Sequence, residues 1–280
     1  MGDGNHLKFS KTATISRANG SIGGDGSKVL RGEVPDDAVE ASGTSIFDPV
    51  LCELAYRWFC PPGGTILDPF AGGSVRGIVA AMLGRKYIGI DLRAEQIAAN
   101  EKQARDICPD GLARWICGDS REQVTAKLGP VDFVFSCPPY ADLEVYSDDP
   151  KDLSTMGYDE FLVAYRQIIA ASVAQLKADR FACIVVGDVR DRKGFYRGFT
   201  NDTVAAFNDS GAKLYNEAIL VTAVGSLPIR VGRQFASGRK LGKTHQNVYV
   251  FCKGSPQKAT EAVGPIECGD IAEQFGEVVA

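Results

Sequence analysis

The sequence predicts a doubly wound α/β fold of seven strands, with a parallel body and a terminal antiparallel hairpin. Three observations carry this. Strand-sized apolar runs alternate with helix-spaced segments from Ser45 to Val189, the mark of βαβ units and of a parallel sheet covered on both faces. Several of the early strands end in an acid followed by small residues. After Val189 two β-rich runs follow one another across a long glycine-rich loop, which is hairpin-like.

In order, the elements read as a strand at Thr65 to Leu67, a helix from Ser74 to Leu83, a strand at Tyr87 to Ile90 and a helix from Arg93 to Ile107. Strands at Arg114 to Cys117 and Val131 to Ser136 precede a long helix from Asp159 to Lys177, then a strand at Phe181 to Val186. The long helix rests on Phe161, Leu162, Tyr165, Ile168, Ile169, Val173 and Leu176, which recur at steps of three and four; Ser74 and Asp159 suit helix N-caps. A helix near Asp202 to Asn208 leads to the hairpin runs Lys213 to Thr222 and Gln246 to Cys252.

The chain of 280 residues and 30.0 kDa is long enough for one large domain. The expected division is a flexible arm at 1–43, rich in Gly, Ser, Asp and Lys, a domain at 44–254, and a frayed tail at 255–280. No apolar run approaches the ~20 residues of a membrane span and Met1 to Lys11 is polar, so a cytoplasmic protein without a membrane partner is expected. Eight cysteines without a CxxC pair, and only two histidines, predict no metal site. A net charge of −4 and a pI near 5.4 exclude a bulk polycation that binds nucleic acid by total charge.

The strongest motif is Asp68-Pro69-Phe70-Ala71-Gly72-Gly73-Ser74, a strand ending in an acid that turns through small residues into a helix. Small residues let a ligand approach the backbone, and a helix N-terminus offers free N–H groups. Asp91, about 20 residues on, ends the next strand, where a carboxylate can accept from ribose hydroxyls in doubly wound folds. Asp119, in Cys117-Gly118-Asp119-Ser120, closes the third strand; a plain strand-ending turn explains it equally well. A dehydrogenase is a weaker fit, because the turn lacks G-x-G-x-x-G.

With Ser136-Cys137-Pro138-Pro139-Tyr140 added, the combination resembles the amino-methyltransferases of DNA, which use S-adenosylmethionine. The likeness runs from Ser45 to Gly254 and includes Phe47-Asp48-Pro49 and the run Thr244 to Phe251. It implies a seven-stranded, Rossmann-like class I methyltransferase sheet. It also implies that S-adenosylmethionine is bound and S-adenosylhomocysteine released. By resemblance, Asp68, Phe70, Ala71 and Gly72 line the methionine end of the cofactor, Pro69, Gly73 and Ser74 of the same turn are cofactor-binding too, and Phe47 and Pro49 belong to the helix that closes over the methionine end. Asp91 would hold the ribose, with Leu92 beside it also cofactor-binding, and Asp119 with Ser120 would hold the adenine. The family's Phe-x-Gly-x-Gly reads Phe70-Ala71-Gly72-Gly73-Ser74 here, which keeps the smallness and moves the last glycine.

The same resemblance makes Ser136, Cys137, Pro138, Pro139 and Tyr140 the catalytic segment, acting on cytosine N4 or adenine N6 of a flipped base. Where the family has Asp, Asn or Ser, this chain has Cys137, and a thiol is a weak acceptor. Three readings follow for it: a substitute for Ser with the Pro138 carbonyl as main acceptor, a thiolate nucleophile for carbon methylation, or an inert thiol in a protein that only binds cofactor. An RNA base methyltransferase and an inactive cofactor-binding regulatory protein are the rival functions.

Gly187-Asp188-Val189-Arg190-Asp191 fits either a polar turn or the floor of a base pocket, and the acidic run Asp142, Glu144, Asp148, Asp149, Asp152 reads as a solvated lid. No acid lies between Ala218 and Thr260, while the loop Gly225 to Thr244 holds Arg230, Arg233, Arg239, Lys240 and Lys243 beside Phe235. These five are the expected DNA-phosphate contacts. A homodimer is left open.

Overall fold

The computed structural model describes residues 47–108, 111–125, 128–140, 146–221 and 227–266. The predicted N-terminal arm, the acids Asp142 and Glu144, and the end of the predicted tail lie outside the described residues. Of these, 47–221 and 243–266 belong to one compact unit and 227–242 to another, treated by itself below.

The main unit is the expected seven-stranded, Rossmann-like sheet. Its strands are β1 Thr65–Asp68, β2 Lys86–Asp91, β3 Ala113–Cys117, β4 Val131–Ser136, β5 Leu176–Val186, β6 Lys213–Val221 and β7 His245–Lys253. They lie in the order β3-β2-β1-β4-β5-β7-β6, with β1 to β5 parallel and β7 antiparallel to both β5 and β6. Strand order reverses between β1 and β4, and it is at such a switch point, beyond the carboxyl ends of the strands, that open α/β sheets bind ligands.

Helices α1 Pro49–Phe59, α2 Val75–Met82, α3 Ala94–Ile107 and α8 Pro256–Val263 bury Tyr56, Ala80, Ile97 and Ala259 against Ile66, Phe133 and Phe135 of one sheet face. On the other face α5 Tyr158–Gln175 and α6 Phe199–Asp209 bury Phe161, Tyr165, Phe199 and Phe207 against Val134, Ile184 and Phe251. The short α4 Ser120–Gln123 and a 3-10 turn at Leu153–Thr155 complete this layer. Asp48 caps α1, its carboxylate accepting from Val50 N at 2.8 Å and Leu51 N at 3.3 Å, and Pro49 follows where a missing N–H costs nothing.

Three expectations are corrected. Gly157, not Asp159, caps α5, and Asp159 stands in its first turn. Leu176 and Lys177, read as the end of that helix, already belong to β5, because Leu176 pairs with Val131. The start of the predicted frayed tail is helix α8, capped by Ser255 and held by buried Ala259 and Val263. Eight residues are too few for a periodic signal.

Asp132 fastens the far ends of three strands. Its carboxylate accepts from Thr65 N at 3.0 Å, Lys177 Nζ at 2.7 Å and Arg180 Nε at 3.4 Å. Burial works to raise its pKa, but these donors outweigh it and hold the carboxyl below the usual range. Asp132→Asn is expected to cost roughly 1–2 kcal/mol at neutral pH, the scale of a charged hydrogen bond whose lysine partner is partly exposed. Because the folded pKa is depressed, this contribution is complete above about pH 4 and fades as pH falls through the folded value. Urea melts at pH 7 and pH 3 check it; equal stability of the two proteins at pH 7 refutes it.

Candidate active site

The glycine turn between β1 and α2 is built on Asp68. Its carboxylate is fully buried and takes four donors: Arg76 Nε at 2.5 Å, Tyr87 Oη at 2.7 Å, Ser136 Oγ at 2.5 Å and Phe70 N at 3.2 Å. An ionised carboxylate away from water needs such saturation. Arg76, itself 5% exposed, donates from Nη2 to the Phe70 carbonyl at 2.6 Å and the Ala71 carbonyl at 2.7 Å, while the Phe47 ring covers its guanidinium at 4.7 Å. Burial opposes the Arg76 charge, but Asp68 wins and drives its pKa up.

The turn is then pinned to its neighbours. Ala71 N donates to Ile90 O at 2.9 Å, Asn100 Nδ2 donates to Gly72 O at 2.7 Å, and Ser120 Oγ donates to Pro69 O at 2.5 Å. Gly89 of β2 is required here, since a Cβ would stand 2.9 Å from Ala71 Cβ and 2.8 Å from Trp115 Cδ1. Gly72 has φ +52, in the left-handed region, and nothing lies within 4 Å of where its Cβ or that of Gly73 would be. That leaves open space against the backbone. Ser74 does not cap α2 with its side chain; its hydroxyl turns to Gln103.

Asp91 closes β2 beside this space, accepting from Gly72 N at 3.0 Å and Arg93 N at 2.9 Å. Burial raises its pKa, partly offset by those N–H groups and by Arg93. Asp119 behaves differently. Both its oxygens accept from the Arg121 guanidinium, the shortest at 2.6 Å, and Oδ1 also accepts from Arg121 N. Burial would raise its pKa, yet Arg121 brings it below the usual range.

From the end of β4, next to β1, the chain runs through Ser136, Cys137, Pro138, Pro139 and Tyr140. Ser136 is fully buried and donates its hydroxyl to Asp68, and Pro138 is buried too. Cys137 and Tyr140 keep partial exposure. The Tyr140 ring meets Phe199 edge-on at 6.2 Å, and its hydroxyl receives the Gln246 amide at 2.5 Å. Burial pushes this hydroxyl far above the ordinary tyrosine range, and the Cys137 thiol adds to the rise against Gln246 and the Gly187 N–H.

Asp188 accepts from Val189 N, Gly198 N and Phe199 N, so the Gly187 to Asp191 stretch is a turn that folds 188–198 back on itself, and a Cβ at Gly187 would stand 3.7 Å from the Tyr140 hydroxyl. Lys243, half-buried, feels Asp188; burial lowers its pKa.

The structure thus brings Phe47, the turn 68–74, Asp91, Ser120 and 136–140 to one edge of the sheet. Arg76, Tyr87 and Gln246 were not singled out in the sequence. A lone arginine in the apolar helix Val75–Met82 was the available signal for the first; nothing local marks the others. The basic segment also differs from expectation. Most of the predicted flexible loop is helix α7, Leu227–Gly238, followed by Arg239 at φ +51 with its guanidinium over the Phe235 ring at 5.0 Å. Two glycines hide a helix from a reading by composition, though each costs only ~1 kcal/mol. Arg233 and Arg239 are exposed and Lys240 is half-buried.

Residues 50–102 match a family described as DNA methylase, of N6/N4 type. A stretch of 49 residues is 45% identical to the type II methyltransferase M.HinfI of Haemophilus influenzae, covering 18% of this chain and 14% of that relative, so the likeness spans a small part of its length. Of solved structures, TrmN from Thermus thermophilus is similar at 17% identity and a TM-score of 0.46, over 73% of this chain and 48% of that one. A TehB-like SAM-dependent methyltransferase from Corynebacterium glutamicum is similar at 20% identity and a TM-score of 0.44, over 76% of this chain and 91% of that one. The matched residues 50–102 include most of α1, the glycine turn, β2 and Asp91.

Proposed function

We propose that this protein transfers a methyl group from S-adenosylmethionine to the exocyclic amino nitrogen of cytosine (N4) or adenine (N6) in a base turned out of DNA. The observation that supports it most is that the open glycine turn after β1 and the Cys137-Pro138-Pro139-Tyr140 loop after β4 sit side by side at the switch point of the sheet. The cofactor fits, because the positions where Gly72 and Gly73 lack a Cβ leave room against the backbone and Asp91 stands next to them. Gly72, Gly73 and Phe47 would hold its methionine end, Asp91 its ribose, and the turn at Asp119 and Ser120 its adenine, with Asp119 already engaged by Arg121.

S-adenosylmethionine, when bound, supplies an electrophilic methyl group. The chain's own share is orientation: the Tyr140 ring stacks on the base, and the Pro138 carbonyl accepts from the amino group so that its nitrogen points at the methyl carbon. Nucleoside mass spectrometry after incubation with DNA or RNA tests this. A methylated amino group in DNA bears the reading out; methylation in RNA alone, on a ring carbon, or nowhere overturns it.

Arg230, Arg233, Arg239, Lys240 and Lys243 are proposed to contact phosphates. Replacing Arg239, Lys240 and Lys243 by alanine is expected to weaken binding to all DNA sequences alike and flatten its salt dependence by about one unit of slope for each phosphate no longer neutralised. Unchanged affinity and slope in a titration series would move the binding surface elsewhere.

No described helix is long and apolar enough to cross a membrane.

A further inference from the structure

The buried carboxylate of Asp68 joins two loops that belong to different strands. On one side it holds Arg76, whose Nη2 grips the carbonyls of Phe70 and Ala71 in the glycine turn. On the other it receives the hydroxyl of Ser136, the residue that immediately precedes Cys137. Tyr87 of β2 donates to the same oxygen as Arg76, and the Phe47 ring lies over the guanidinium, so the cluster has almost no freedom to re-pair. Arg76 is also within electrostatic reach of Cys137. Strands β1 and β4 pair through Ile66 and Leu67 with Phe133 and Val134, and at their carboxyl ends the Asp68 cluster joins the two loops through side chains.

We propose that Arg76 and Ser136 are positioning residues which, through Asp68, lock the glycine turn and the Cys137 to Tyr140 loop into a single register, so that occupation of the cofactor space steadies the base-binding loop. This rests on the methyltransferase reading. Neither residue touches the reacting atoms. A fixed register matters because transfer needs nitrogen and methyl carbon placed to within a fraction of an ångström, and misplacement costs rate without costing cofactor affinity.

Ser136→Ala removes one of the four donors to Asp68 and leaves the other three, so it is the mild variant. It is expected to bind S-adenosylhomocysteine within about twofold of wild type and keep KM for S-adenosylmethionine, while kcat falls at least about tenfold. Hydrogen exchange at the Cys137 and Tyr140 amides should quicken in the ligand-free variant. In wild type, S-adenosylhomocysteine should slow that exchange, and in the variant this slowing should be lost. Arg76→Lys, which cannot hold Asp68 and both carbonyls together, should lose cofactor affinity as well; if it fails to fold, Ser136→Ala decides alone.

Unchanged exchange and unchanged kcat in Ser136→Ala overturn the proposal. Failure of wild type to bind S-adenosylhomocysteine overturns the cofactor reading instead, and the ligand-free exchange comparison then still decides whether Ser136 holds the loop.

Discussion

Tyr140→Ala is expected to lower methyl transfer by on the order of 100-fold or more, with S-adenosylhomocysteine affinity almost unchanged. Stacking of an extruded base on an aromatic ring is worth ~1–3 kcal/mol, and loss of orientation adds to it. The ring is ready for that role: Phe199 supports it edge-on, and Gln246 and the Gly187 N–H anchor its hydroxyl. Tyr140→Phe keeps the ring and drops the anchor, so it should retain most of the rate, which separates stacking from a role of the hydroxyl. Single-turnover kinetics and calorimetry with S-adenosylhomocysteine read both quantities. A Tyr140→Ala protein that methylates at the wild-type rate removes this loop from the site. The same assay on Cys137→Ser distinguishes two roles for the thiol: activity is kept if it stands in for serine and abolished if it is a nucleophile.

The second large effect is expected at Asp91. Asp91→Ala should weaken cofactor binding by roughly 1.5–3 kcal/mol, about 10- to 150-fold, the scale of a carboxylate accepting from two hydroxyls. The loss has a second source, because Gly72 N and Arg93 N both donate to this carboxylate and the turn would lose one of its pins. Asp91→Asn should recover part of that second loss. The sign of the pH effect follows from the raised pKa: the ionised form is the acceptor, so wild-type affinity should fall as pH drops through a value above the ordinary one near 3.8, while Asp91→Ala stays flat. Calorimetric affinity that is unchanged by the substitution at neutral pH would take Asp91 out of the cofactor site.

Much of this architecture is legible in single segments. Spacing alone locates α5, since Phe161, Tyr165, Ile168 and Val173 return at helical intervals and all are buried. The strand at Val131 to Ser136 is read with its observed bounds because a continuous apolar run between turns has few alternatives. Glycines with acids at strand ends mark the sheet edge, and Pro138-Pro139-Tyr140 marks the second loop at that edge. By contrast α7 and α8 are missed, one masked by glycine and the other too short, and helices of that kind depend on packing and capping more than on pattern.

The side-chain pairings were out of reach for a different reason. Asp68 and Ser136 are 68 positions apart, and Gln246 and Tyr140 are 106 apart. No local propensity carries information across such distances; only the strand order, which sets β4 beside β1 and β7 beside β5, brings them within hydrogen-bond reach. Asp68 and Asp119 look alike as strand-ending acids, yet one is sealed under the sheet edge by Arg76, Tyr87 and Ser136 while the other is clasped by Arg121 two residues on. Local chemistry therefore settles most of the element types and the glycine turn. Which carboxylate faces a ligand and which is consumed in holding the loops together is decided by burial, because a charge withdrawn from water must find its partners wherever the fold has placed them.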